Sequence, residues 1–377
     1  MSATLDTVHA EMAGNSGRRR TIVLGAALLL WFALWLTLPL HFDWEVPTDN
    51  LEQLTWALHP AWGYAKHPPF PTWVLWCFER VFTPGAALTF CLGALQVAVL
   101  LWMTWLLARD SLRGVVSWAA PLMVACISYY TVRMHYYNHN TALMVAYAVT
   151  LFALWRAVTS GGTRWWLLLG VAWGIGMLSK YQMALLIGCN LAFLWNVRGL
   201  GMKRLFRGCV LASGVAAALC VPHLLWLVQN HFPSFGYAAT LLAAHLGPYG
   251  RLYDVLSFLL HQCLRLAPLM ILLGVLAWRT RVPVALPEAT AGDDADLLST
   301  RFWRIHAWGP ILGITLLGLF FGAAVENHWG MASLWAMPCW ILTTARGRRW
   351  ATAPLREVLW FALPVQALMV VGYLAGK

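Results

Sequence analysis

Residues Thr48–Trp73 read TDNLEQLTWALHPAWGYAKHPPFPTW, and they interrupt a chain that is otherwise mostly apolar. The stretch holds three tryptophans, four prolines, two histidines and a lysine. Pro68 and Pro69 lack amide donors and force extended backbone on the residues before them, so KHPPFPTW cannot open as a regular helix. After them, FPTWVLWCFERVF predicts an aromatic helix in the membrane interface, carrying Trp73, Trp76, Phe78 and Phe82. The rigid turn holds Lys66 and His67 at the membrane surface, where two adjacent cation-capable side chains suit a phosphate. Just upstream, TDNLEQ opens a short helix in which Asp49 is a candidate general base and Glu52 lies one turn on. The competing reading makes Thr48 or Asp49 a helix N-cap.

The rest of the chain explains why such a loop is unusual. Of 377 residues, 60% are hydrophobic and 11% charged, with 24 tryptophans; the mean hydropathy is +0.64. That composition belongs to an integral membrane protein. Apolar runs predict about eleven transmembrane helices, near 21–41, 85–107, 115–131, 140–157, 165–179, 181–197, 208–228, 254–277, 305–323, 329–344 and 355–375. The fold class expected is therefore all-α and polytopic, one membrane domain over 1–377. The first apolar run is too long for a signal-peptide core and reads as an uncleaved helix with its N-terminus inside. With that orientation 19 of the 26 basic residues fall on the cytoplasmic side, as the positive-inside rule requires. The net charge of +11 thus faces anionic lipid, and no basic soluble domain suggests nucleic acid. The eight cysteines are scattered, with no C-x-x-C pair, so neither zinc finger nor disulfide framework is expected. Two long segments, 42–84 and 229–253, face outward, while 282–300, VPVALPEATAGDDADLLST, reads as a flexible cytoplasmic linker. There is no Walker loop, dinucleotide fingerprint or HExxH.

Unusual polar residues collect at the outer ends of the spans. Besides the loop they include Arg133, His135 and His139 in VRMHYYNHN, Lys180 and Tyr181 in MLSKYQM, His231, Arg251 and His328. Polar groups at membrane depth are costly, so a one-sided cluster drawn from several helices points to a shared cavity open to the outer face; taken singly, each also reads as a solvated or snorkelling residue. His135 and His139, four apart, would share a helical face as metal ligands, against the commoner reading of hydrogen-bonded helix-end histidines. Asp43 and Glu45, directly after the first span, read as interfacial.

The motif TDNLEQLTWALHPAWGYAKHPPFPTW resembles the first outer loop of bacterial polyprenyl-phosphate-sugar-dependent glycosyltransferases. That superfamily takes in protein O-mannosyltransferases, the lipid A aminoarabinose transferase and the lipopolysaccharide-core galacturonosyl transferases. YYNHNTALM, GMLSKYQMALL, VPHLLWLVQNHFPSFGY and NHWGMASLWAMP are similar to further family segments. The resemblance implies a glycosyltransferase C fold with amphipathic helices in the first outer loop. It also implies a periplasmic site on the bacterial inner membrane and inverting transfer from a polyprenyl-phosphate sugar donor to a lipid or glycan acceptor, surrounded by membrane lipid. It puts Asp49 on the family's catalytic base and His67 on a position held by Lys or His. The family's second acid is Asn50 here, a departure for which Glu52 is the candidate substitute, and a divalent metal is an open expectation. Lys66, His67, Arg133, His139, Lys180, Tyr181, His231, Arg251 and His328 are the candidate substrate-binding residues. The rival readings are a transporter or lipid flippase, which would want midplane polar residues and matched broken helices, and a catalytically dead scaffold, at which only Asn50 hints.

Overall fold

The computed structural model describes residues 22–23, 25–43, 45–112, 117–243, 247–279, 294–344 and 355–376. Among them there is no strand. The helices are α1 (Gly25–Phe42), α2 (Thr48–Ala57), α3 (Phe70–Phe78), α4 (Ala86–Ser111), α5 (Ala119–Val124), α6 (Ser128–Thr131), α7 (His139–Ser160), α8 (Thr163–Ser179), α9 (Met183–Asn196), α10 (Met202–Gln229), α11 (Pro233–Ala243), α12 (Pro248–Arg279), α13 (Asp294–Phe321), α14 (Ala336–Thr343) and α15 (Leu355–Ala375). Six described helices, α1, α4, α7, α10, α12 and α13, are long and apolar enough to cross a membrane. The chain is a multi-pass all-α membrane protein. α7 lies at its centre, packed against α4 and α8, and α8 in turn against α10. The most apolar window of α7 is 78% buried and that of α10 17%, so α7 belongs to the protein core and α10 to the lipid-facing rim.

Two of the eleven expected spans are not continuous helices. The described residues of 115–131 contain only α5 and α6, separated by an extended Ile127. Residues 329–344 contain a 3-10 turn over Asn327–Ala332, then α14. Broken backbone inside a membrane protein persists only where protein satisfies it, and here the two breaks satisfy each other. Tyr129 donates to the Asn327 carbonyl and Tyr130 to the Met331 carbonyl, while Tyr130 Oη accepts the Trp335 amide at 2.8 Å. Thr131 Oγ1 closes the first break by donating to the Ala125 carbonyl. Of the expected linker 282–300, residues 294–300 are the first two turns of α13, and 282–293 lie outside the described residues.

The expected aromatic helix is present as α3, opened by the prolines; it ends at Phe78, so Phe82 lies beyond it in a bend and not on the helix as expected. The loop before it is stapled down by aromatic contacts: Trp56 stacks on Tyr64 at 4.6 Å, and Trp73 Nε1 donates to the Ala61 carbonyl at 2.7 Å. The neighbouring turn 134–136 lies directly on α4, at Gly93. A Cβ there would stand 2.6 Å from the Tyr136 carbonyl, so only glycine admits this approach.

Candidate active site

The buried face of α2 is Asn50, Gln53 and Ala57, two amides where an ordinary amphipathic helix would bury leucine. Their partners explain it. Asn50 Nδ2 donates to Thr89 Oγ1 and to the His135 carbonyl, both at 2.9 Å, while its Oδ1 accepts the Tyr137 amide at 2.9 Å. Asn50 thus brackets α2 to the turn before α7, using donors and acceptor together; a carboxylate would lack the donors. This residue is fully buried, and both of its amide hydrogens go to protein partners. Among the described residues no three His, Cys, Asp or Glu side chains are grouped to hold one.

Asp49, beside it, is half-buried and opens the first turn of α2, whose N-cap is Pro47 with no side-chain cap. Neither Thr48 nor Asp49 caps. Instead Asp49 Oδ2 accepts Asn138 Nδ2 at 2.7 Å. Asn138 is locked in turn, because its Oδ1 accepts the amides of Asn140 and Thr141 in the capping box of α7. Among the described residues, Asp49 Oδ1 accepts no hydrogen bond. One oxygen is held while the other is left open.

Around this carboxylate the structure gathers two of the expected cations, Lys180 and Lys66. Lys180 ends α8 and donates to Asn140 Oδ1 at 2.6 Å, with its ammonium 5.5 Å over the Trp329 ring. Burial pulls its pKa down to about 8, against the opposing charges of Asp49 and Glu326. Lys66 forms an ion pair with Glu52 at 2.8 Å, which raises its pKa. Glu52, the candidate second acid, is thus paired with Lys66 in a partly exposed ion pair. His67 rests on His139 with ring centroids 4.1 Å apart. Burial, then the charges of Lys180 and Lys66, push the His67 pKa down to about 3, so it is a neutral imidazole and not the cation expected from sequence. His328 is likewise lowered to about 3, by burial and then by Lys180, Arg133 and His67, which places Arg133 and His328 on the same cluster.

Other expectations separate. His135 and His139 do not share a face: His139 opens α7 toward His67, with Gln53 Nε2 3.4 Å from both of its ring nitrogens. His135 Nε2 stands 3.1 Å from Asp43 Oδ2. Asp43 is not interfacial, since its side chain is 1% exposed and its other oxygen accepts Tyr373 Oη from α15. Tyr181 donates to His223 Nε2 at 2.8 Å, because Nδ1 of that ring must carry the proton given to the Trp62 carbonyl at 2.7 Å. His223 thus ties α10 to the first loop and to Tyr181, whose hydroxyl is engaged there. His231 is exposed in the α10–α11 turn, at φ 58°. Arg251 lies with its guanidinium where a Cβ on Gly322 would be 2.9 Å away; among the described residues no hydrogen bond or ion pair joins His231 or Arg251 to Asp49 or Lys180. Sequence reading missed Asn138, Asn140 and Gln53. NHN at a helix start was a capping signal, but nothing local announced its partners 40 to 90 positions away.

The model of the family described as dolichyl-phosphate-mannose-protein mannosyltransferase matches residues 66–226. The lipopolysaccharide core galacturonosyltransferase RgtA of Rhizobium johnstonii is 27% identical over 86% of this chain and 64% of its own length. RgtB of the same organism is 23% identical over 95% of this chain and 72% of its own. The chain thus spans just under two thirds of RgtA. In fold it is similar to ArnT from Cupriavidus metallidurans bound to undecaprenyl phosphate, with a TM-score of 0.60 at 16% identity, over 94% of this chain and 76% of that one. The fold is the glycosyltransferase C type, and the resemblance read from the motifs is borne out.

Proposed function

We propose that this chain, similar throughout to polyprenyl-phosphate-sugar glycosyltransferases, is an inverting glycosyltransferase working as one membrane domain. It moves a sugar from a polyprenyl-phosphate donor to a lipid or glycan acceptor of the cell envelope, lipopolysaccharide being the acceptor named for its relatives. The protein sits in the bacterial inner membrane with its N-terminus cytoplasmic and the Asp49 cluster facing the periplasm; the bias of basic residues supports this orientation.

The observation that carries the reading is the half-held carboxylate beside partly buried cations. Asn138 fixes Asp49 through Oδ2, and Oδ1 is left to take the proton of an acceptor hydroxyl. As that proton moves to Oδ1, the acceptor oxygen bonds to the sugar's anomeric carbon and the bond from that carbon to the phosphate oxygen breaks on the opposite face. Polyprenyl phosphate leaves with the electron pair and one more negative charge. Lys180 and Lys66 are the groups that meet that charge, Lys66 by exchanging Glu52 for phosphate. His67 and His139, as neutral rings, wall the cavity without adding charge.

A transporter or flippase would move the same donor intact. The assay that separates the two uses purified protein in nanodiscs, a labelled undecaprenyl-phosphate sugar and extracted envelope lipid. Transfer is expected, with one undecaprenyl phosphate released per labelled product. Movement of intact donor across proteoliposomes with no bond cleavage would overturn the reading.

A further inference from the structure

Beside His328 lies a second cationic group, Arg133 and Arg265. Arg133 sits in the turn after α6, its guanidinium 5.1 Å over the Tyr136 ring. Arg265 projects from α12, 5.0 Å over the Tyr129 ring. The two guanidiniums are close enough to act on one another's charge, and Arg133 also acts on His328. Among the described residues neither forms an ion pair with a carboxylate. Nearby Asp43 is already taken by His135 and Tyr373.

Two like charges side by side within a membrane protein repel each other and are costly to desolvate. Stacking on tyrosine faces offsets part of that cost but brings no negative charge. An oxyanion between them would, since a guanidinium presents a planar fork of donors to carboxylate or phosphate. The ring faces hold both forks in place; Arg265 also hydrogen-bonds the Tyr129 hydroxyl, which leaves the rest of its N–H groups for a ligand.

We propose that Arg133 and Arg265 form a second oxyanion subsite, which receives a negative group of the substrate other than the donor phosphate. The group is a carboxylate on the transferred sugar or a phosphate on the acceptor lipid; the subsite makes the enzyme selective for acidic substrates. This inference rests on the reading of the Asp49 cluster as the transfer site.

The test compares wild type with Arg133→Gln and Arg265→Gln in nanodiscs, after thermal unfolding shows which variants are folded. The probes are undecaprenyl phosphate, undecaprenyl-phosphate galacturonate and undecaprenyl-phosphate galactose, with phosphorylated and dephosphorylated lipid A as acceptors. Wild type should prefer one acidic probe to its neutral counterpart by about 10- to 100-fold, and each folded variant should lose that preference while still binding undecaprenyl phosphate. Loss in the donor pair assigns the group to the sugar, and loss in the acceptor pair assigns it to the lipid phosphate. If both preferences survive in Arg133→Gln, or wild type has neither, the subsite is overturned. Failure of wild type to bind undecaprenyl phosphate at all would instead overturn the parent reading, and this one with it.

Discussion

The two ends of α7 hold charge in opposite ways. At the end carrying Arg156, Asp110 pairs with Arg156 at 2.9 Å and with Arg109 at 3.1 Å, so one acid holds two guanidiniums, both partly open to the surface. Aromatic rings add to this: Arg156 lies over Phe152 and Trp165, and Trp303 Nε1 donates to Ser111 Oγ at 2.9 Å. Some 17 residues away, roughly 25 Å along the helix, the His139 end does the reverse. Among the described residues the Lys180 ammonium has only the neutral Asn140 amide as a hydrogen-bond partner, and Asp49 keeps an open oxygen. The first arrangement is finished by the protein itself, as structural charge is. The second is finished only by something that brings a phosphate and a hydroxyl.

The contrast is broken most severely at Asp49. Asp49→Asn keeps the shape and removes the proton acceptor, so turnover should fall about 10²- to 10⁴-fold with donor affinity retained. Arg109→Ala at the opposite end should leave turnover within about two-fold, because that charge meets no substrate. Equal losses in the two variants, measured by initial rates in nanodiscs, would erase the distinction between the ends.

Next in size is Asn50→Asp, which removes both donors and sets a carboxylate against the His135 carbonyl. A buried, unpaired charge costs about 3 to 5 kcal/mol, and a fall of that order in unfolding free energy is expected. Unchanged stability with new metal-dependent activity would mean that position 50 faces the site after all.

Lys180→Ala should weaken donor binding by about 10- to 150-fold, the worth of one charge-assisted contact. The ammonium is charged below its pKa of about 8, so affinity for a phosphodiester donor, which has no proton to lose in this range, should be flat to pH 7 and decline above about pH 8. Lys180→Arg should remove the decline, and a wild-type profile flat to pH 10 would exclude Lys180 as the partner. The smallest effect belongs to Lys66 and Glu52. Their pair is partly exposed, so a double-mutant cycle on stability should give at most about 1 kcal/mol, even though Lys66→Ala affects donor use.

What could be read from sequence was what local chemistry announces. The paired prolines dictated the turn before α3, the apolar runs dictated most helices, and Asp49 and Lys180 stood out as charges in apolar or aromatic surroundings. The burial of Asp43 was invisible, because it depends on Tyr373, 330 positions away. The spacing of His135 and His139 misled, since that rule assumes one continuous helix and α7 begins only at His139. The breaks in 115–131 and 329–344 also escaped notice, because Tyr129 and Tyr130 in one segment satisfy the other. Asn50 read as a lost acid and is instead a bracket, a role that only its three partners reveal.

The most direct measurement is a cryo-electron-microscopy structure of the protein in nanodiscs with undecaprenyl phosphate bound. The account predicts phosphate density within hydrogen-bond distance of Lys180 Nζ, with Lys66 released from Glu52 and Asp49 still held by Asn138. Phosphate density at Arg109 and Arg156, or at the Asp49 end with Lys180 still bonded only to Asn140, would contradict it.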